Sequence, residues 1–430
     1  MSAGNWHVVV VGAGMVGVSC AWALQQRGAQ VTLIDRRAPG SETSHGNAGL
    51  LSPTSLLPFN HPGLWRQLPA LIGGRSAGFR TRPGYLLSDG LPAMAFLTHA
   101  RPSVLATTTA ALHALISASR PLHLQWMAQA GVAARLRETG WLFLYRSEAA
   151  WQAAQWARDV YRQHGLACQA LDPASLEDLE PALGQGFAKA LWVQGAASVD
   201  EPGEVVRALA RKVVDRGGRF VQDEIRRLQP GSAGGWALQT TSGDEIHADR
   251  VVLALGPWSR DFLQQQWGWR LPMLHERGYH MHFGWNGPAL QRPLYDTSAG
   301  YVLSPMGAGV RLTTGVELDA MQSPVDSGML ERAEAAARQV LPLGARLDAQ
   351  AWRGSRPTLP DSRPMIGAVP GVPHLWLALG HQHIGYSTGP ATGELLARLL
   401  YGEPAAVPPE PFSPLRFGQR WLRGSHHAGG

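Results

Sequence analysis

The chain has 430 residues, a formal net charge of +6 and 45 % hydrophobic residues, enough to bury the cores of two or three domains. That composition excludes disordered, fibrous and repeat architectures, and no apolar run reaches the roughly 18 uncharged residues a membrane helix needs. The charge is almost wholly arginine, with Lys189 and Lys212 the only lysines, and the arginines are scattered rather than set in a stripe with aromatics, which argues against a nucleic-acid partner.

At the N-terminus no Lys or Arg precedes Arg27, so the basic region of a signal peptide is missing and a cytoplasmic protein is expected. Residues 7–11 read as a buried strand, 15–27 as a helix and 30–34 as a second buried strand. The Pro- and Gly-rich stretch from Ser52 to Arg101 predicts loops and short helices. Alanine-rich segments at 104–138 and 148–164 have helical spacing and are expected to pack on one another. A helix follows from Glu204 to Arg216, then a short strand at 219–221 and a hairpin around "PGSAGG". "HADRVVLALGPWS" (247–259) closes an apolar run on Gly256, as a parallel strand ending under a ligand does. Period-two alternation in "YHMHFGW" and in 301–318 predicts antiparallel strands of a separate sheet, and a last α/β stretch spans 374–400. Cys20 and Cys168 lie outside any CxxC or CxxH spacing, so neither a disulfide framework nor a zinc site is expected, and no other metal site is indicated.

Gly12-Ala13-Gly14-Met15-Val16-Gly17 carries the first chemistry. Between a strand and a helix, its glycines allow a tight turn, close approach of a pyrophosphate and helix-on-sheet packing, with the helix dipole facing the phosphates. Asp35 follows Gly14 by 21 residues, at the end of the next strand, where a carboxylate accepts a ribose hydroxyl. Arg36 and Arg37 would suit a 2′-phosphate, but the neighbouring acid repels one, so stacking or a solvated surface is the simpler role. The second small-residue loop, "GSETSHGNAGLLSP" at 40–53, is suited to wrapping a bulkier cofactor.

Four stretches together resemble the D-amino-acid dehydrogenase (small-subunit type) branch of the FAD-dependent amine oxidoreductases, which includes glycine oxidase, sarcosine oxidase and D-amino-acid oxidase. They are GAGMVG with "TSHGNAGLLSP", then "VVLALGPWS", then "ERGYHM" and "YVLSP", and last "WRGSRPTLPDSRPMIG" with "LGHQHIGYSTGPATGELLARLL". The resemblance implies an α/β (α+β overall) fold. A Rossmann-like FAD-binding domain (1–55, 195–262, 350–405) would be interleaved with a substrate domain on a largely antiparallel sheet (56–194, 263–349), before a tail at 406–430. It implies that Gly12 to Gly17 and Asp35, beside Arg36, hold the ADP half of FAD, and that Ser44, Asn47, Ala48, Gly49 and Leu50 run along the pyrophosphate and flavin. Ile225 would meet adenine, and Gly256 and Trp258 would end the central strand under the cofactor. His383, Ile384, Gly385, Tyr386, Ser387 and Thr388 would cap the flavin with backbone N–H groups, ahead of a helix beginning near 388–392. His383 could equally be a satisfied loop residue. The family commonly has Gly where Gln382 stands.

The resemblance also implies the reaction: oxidative deamination of a D-amino or imino acid by hydride transfer from Cα to flavin N5, with the imino product hydrolysing to a 2-oxo acid and ammonia. Arg356 would grip the substrate carboxylate, its structural alternative being a tie to Asp361. Tyr301 would support that carboxylate. Tyr279 and His280 alternate, so one faces the pocket, and Tyr279 is the better choice, with core packing as its alternative. The two lysines lie outside the flavin stretches, which favours a quinone or another acceptor over oxygen. The segment Leu64–Leu87 offers a peripheral contact with the inner face of a membrane, or ordinary loop packing. Rival readings are a glycine- or sarcosine-type oxidase, a D-proline or hydroxy-D-proline dehydrogenase, and a non-catalytic flavin-bearing subunit.

Overall fold

The apolar runs His7–Val11 and Gln30–Asp35 form adjacent parallel strands joined by helix α1 (Met15–Gln25). The computed structural model describes residues 5–65, 78–82, 84–85, 90–231 and 234–422. In it this pair grows into a six-stranded sheet in the order 219–222, 30–35, 7–11, 250–253, 375–379, 365–368, parallel except for the last pair. Such a sheet is covered on both faces, which is why Val8, Val9, Val10, Val251 and Val252 are wholly buried. Helices α1, α2 (Pro102–Gln129), α3 (Pro202–Asp215) and α4 (Gly385–Tyr401) cover one face. The hairpin sheet 225–248 and helix Ser259–Trp267 cover the other.

Helices α1 and α4 lie against each other with almost no gap. A Cβ at Gly393 would stand 2.3 Å from the Ser19 carbonyl oxygen, and one at Gly389 would stand 2.6 Å from Met15 Cγ. The pairing of Met15 with Gly389 and of Ser19 with Gly393 makes the two helices run parallel. Both N-termini therefore open at the carboxyl ends of the central strands, where α/β sheets bind their ligands.

An eleven-stranded, largely antiparallel sheet forms the second half, running from 79–81 through 316–318, 274–285, 309–314, 301–306, 294–296, 141–145 and 189–193 to 168–171. Strands 343–346 and 352–358 also pair with 274–285. Side-chain alternation divides this sheet into two faces. Tyr279, Met281, Tyr301, Leu303, Val310 and Leu312 form a core behind it, so Gly278, His280, Val302 and Thr313 take the front.

Several expected boundaries move. The segment at 104–138 is helical only to Gln129, and Leu136–Arg137 pairs with Ala197–Val199. The 148–164 segment breaks at Ala154 into two helices. Helix α2 packs chiefly on α4 and the turn at 53–56 rather than on that segment, and meets α1 where Trp126 stacks on Trp22, because its stripe of Leu112, Leu115, Ile116, Trp126 and Met127 enters the core beside the six-stranded sheet. It therefore does not belong to the substrate domain 56–194. Strand 352–358 joins the large sheet, so the FAD segment does not begin at 350. The tail folds back as far as 422, burying Phe412 and Trp421 and binding Asp361 through Arg416 at 2.7 Å. Most of Leu64–Leu87, and residues 423–430, lie outside the described residues.

Trp126 is buried and stacks on Trp22 with ring centroids 5.4 Å apart. Replacement by Ala is expected to cost about 3–5 kcal/mol of stability, as large-to-small core changes do, read by urea unfolding; a loss below about 1 kcal/mol would detach α2 from this core.

Candidate active site

A single cavity of about 520 Å³ runs between the two halves, from Asp35 and Trp258 to the front of the large sheet, within the range of sites for organic ligands. Gly12 begins it. Its φ of +110° suits glycine, and a Cβ there would lie 2.3 Å from the Ala254 carbonyl oxygen. Ser44 reaches across to cap α1, accepting from the Met15 N–H at 3.0 Å. Asp35 accepts from the N–H groups of Ala13 at 2.7 Å and Arg37 at 3.0 Å, while burial raises its pKa. Arg36 lies over the Trp258 ring at 4.5 Å and pairs with Glu42, and Arg37 pairs with the same carboxylate. These arginines stack and pair at the surface of this end.

The cavity wall includes Gly12, Gly14, Met15, Val16, Asp35, Arg36, Ser44, Asn47, Ala48, Leu50, Ile225, Gly256, Trp258, Arg356, His383, Gly385, Tyr386 and Ser387. Ala13, Gly17, Gly49, Ile384 and Thr388, expected with them, stand just behind it. Ala13 is held by Asp35, and Gly17 presses on the Gly12 carbonyl. Gly49 donates to Asn47 Oδ1, Ile384 enters the core, and the Thr388 hydroxyl donates to the Ile384 carbonyl. They shape the wall from one layer back. Helix α4 starts at Gly385, earlier than expected, so its first N–H groups face the cavity directly.

Both candidate tyrosines are corrected. Tyr301 is wholly buried in the core behind the large sheet, near Asp296 and Arg146, and does not line the cavity. Tyr279 borders the cavity but sends its ring to the same rear core, its hydroxyl donating to Glu317 at 2.6 Å and accepting from Arg277 at 2.7 Å. Alternation gives the front to its neighbour His280, which stacks at 4.8 Å on the cavity-lining Trp352. The tyrosine that alternation brings forward is Tyr295, opposite Val302.

Arg356 is a half-buried arginine on the cavity wall, its guanidinium donating to the Gly315 carbonyl at 3.2 Å. Among the described residues it makes no ion pair; Asp361 is taken instead by Arg363 and Arg416. Gly278 makes room for it, since a Cβ there would meet its Nη2 at 2.7 Å. Glu276 faces it across the strands, with its pKa raised by burial, and burial lowers that of Arg356. His381 and His383 are pushed down to about 3 by burial and are neutral near pH 7. Gln382 takes a φ of +50°, the backbone state that favours glycine.

Sequence reasoning missed Arg311. Buried on the front face, it donates to the carbonyls of His45 at 2.7 Å and Asn47 at 2.5 Å, pinning the 44–50 loop. Its signal was a polar residue inside an apolar alternating strand.

Residues 7–399 match the model of the DAO family, FAD dependent oxidoreductases. The chain belongs to this family. A D-amino-acid oxidase of Bradyrhizobium diazoefficiens is 29 % identical over 96 % of this chain and 99 % of its own length. A D-amino acid dehydrogenase of Paramagnetospirillum magneticum is 31 % identical over 93 % and 96 %. Glycine oxidase from Geobacillus kaustophilus has the same fold, with a TM-score of 0.72 over 96 % of this chain and 99 % of its own, at 23 % identity. The protein is thus an FAD-dependent oxidoreductase of the DAO family.

The residues present fit FAD. The Gly12 turn and the N-termini of α1 and α4 supply donors for phosphates and a polar ring edge. Gln382 Nε2, His383 Nδ1, Thr313 Oγ1 and the Tyr386 hydroxyl are buried without hydrogen-bond partners, and their residues line the same cavity. Gly12→Ala is expected to lower the flavin-to-protein ratio of the purified protein at least tenfold, by roughly the 1.4 kcal/mol or more that the backbone clash costs; full flavin content would place the dinucleotide elsewhere.

Proposed function

We propose that the protein oxidises a D-amino or imino acid at its Cα–N bond, releasing an imine that, where the amine is primary, water hydrolyses to a 2-oxo acid and ammonia. In this reading the ADP half of FAD lies on the Gly12–Gly17 turn and Asp35, in the nucleotide-side portion of the chain. The flavin lies between the α4 N-terminus and the large sheet. Bound FAD supplies the hydride acceptor.

Arg356 is the observation that carries the proposal. A guanidinium partly withdrawn from water, in no ion pair among the described residues and turned to a cavity, is well placed to take an anion, and its planar fork matches a carboxylate. It would fix the substrate's carboxylate and so aim Cα–H toward the flavin side. The histidines beside it are neutral, so they neither compete for the carboxylate nor protonate the amine.

The electrons would pass to a quinone or another acceptor. Neither Lys189 nor Lys212 lines the cavity, which leaves no ammonium at the flavin to promote reaction with oxygen. Phe59, at the mouth, is 44 % exposed, with its ring 5.0 Å from that of His383. On helix Gly90–Thr98, Leu91 and Met94 are 87 % and 57 % exposed, an apolar surface suited to such an acceptor or to a membrane face. Among the described residues no helix is long and apolar enough to cross a membrane.

Arg356→Ala is expected to keep its FAD and to lose about 2–5 kcal/mol of transition-state binding, roughly 30- to several-thousand-fold in kcat/KM. Arg356→Lys should recover only part of this. Steady-state kinetics beside flavin content checks it, and a variant as active as the parent would refute the carboxylate site.

A further inference from the structure

We infer that the preferred substrate carries an aromatic side chain, an inference that rests on the amino-acid reading above and narrows it. The strand register lays out the pocket. Phe143 stands beside Tyr295, Tyr295 beside Val302, and Val302 beside Thr313, one residue from each of four neighbouring strands on the front of the large sheet. Arg356 closes one end of this row, hydrogen-bonded to Gly315, two residues beyond Thr313. Tyr295 lies two strands further along, roughly 10 Å away at ordinary strand spacing.

That far end is a concave group of rings. Phe143 meets Tyr295 edge-on at 5.6 Å, Trp141 at 4.4 Å and Tyr161 at 6.5 Å. Trp141, Phe143, Tyr161, Tyr295 and Val302 all line the cavity, and none of them carries a charge. With its carboxylate on Arg356, a substrate directs its side chain along the row. A methyl group stops short of the rings, whereas a phenyl or indole group reaches them and gains edge-on or stacked contact as well as burial. An acidic or basic side chain would arrive there without a partner and is disfavoured.

The test compares D-phenylalanine, D-tyrosine and D-tryptophan with D-alanine, D-aspartate and D-lysine on the FAD-loaded protein, with the L-series in parallel. In whichever series reduces the flavin, the aromatic members should exceed alanine by roughly 10- to 100-fold in kcat/KM. Tyr295→Ala and Phe143→Ala should lower the aromatic-to-alanine ratio. A binding arm is independent of turnover: phenylacetate should perturb the flavin spectrum at concentrations at least about tenfold below acetate. Alanine equal to or better than phenylalanine would overturn the inference while leaving the amino-acid reading intact. If no amino acid reduces the flavin, the amino-acid reading falls, and the two carboxylates alone decide: tighter phenylacetate upholds the aromatic site and equal binding overturns it.

Discussion

The close parallel contact of α1 and α4 is the constraint on which the rest of the site depends. Because Gly389 and Gly393 let α4 lie directly on Met15 and Ser19, two helix N-termini separated by more than 350 residues of sequence open side by side at the ends of the central strands. One N-terminus is set for phosphates by the Gly12 turn and the Ser44 cap. The other faces the large sheet across the cavity, through Gly385, Tyr386 and Ser387. A long polar cofactor can thus lie on fixed backbone dipoles, which need no reorganisation when charge develops.

Opposite this rigid half stands a wall of different character. The large sheet brings forward Arg311, tied to the 44–50 loop, Arg356 with Glu276 opposite it, and a row of rings. Arg277, Tyr279, Glu317 and Asp319 form a buried network at the rear, with Arg277 bonded to Asp319 at 2.9 Å. The division follows from period-two alternation alone. It leaves Arg356, with Glu276 opposite it, outside any ion pair among the described residues and on the wall where a ligand can meet it.

How much of this the sequence revealed depended on the range of the constraint. The Gly12 turn, the two strands it joins and Asp35 were legible because each is set by neighbours within about thirty residues, whereas the 44–50 loop was legible from its small-residue composition although Arg311 pins it from far along the chain. Helix α2 was misplaced because its apolar stripe names a buried face without naming the partner, and the partner lies some 270 residues later. The tyrosines failed for a stricter reason. Whether Tyr279 and Tyr301 face the cavity depends on which parity of each strand turns forward, and the pairing of 274–285 with 309–314 fixes that. Tyr295 was invisible for the same reason, and the polar interruption at Arg311 did not say what it would meet. Arg356 came from family resemblance, and its isolation from Asp361 became visible only when Arg416, from the folded tail, was seen to occupy that carboxylate.

The central claim is that this cavity oxidises an amino acid on bound FAD, and anaerobic mixing of the purified yellow protein with D-, L- and N-methyl amino acids tests it most directly. The account predicts that the visible flavin absorbance bleaches with at least one D-amino or imino acid and returns on addition of a quinone. Failure of every amine to bleach it would contradict the account.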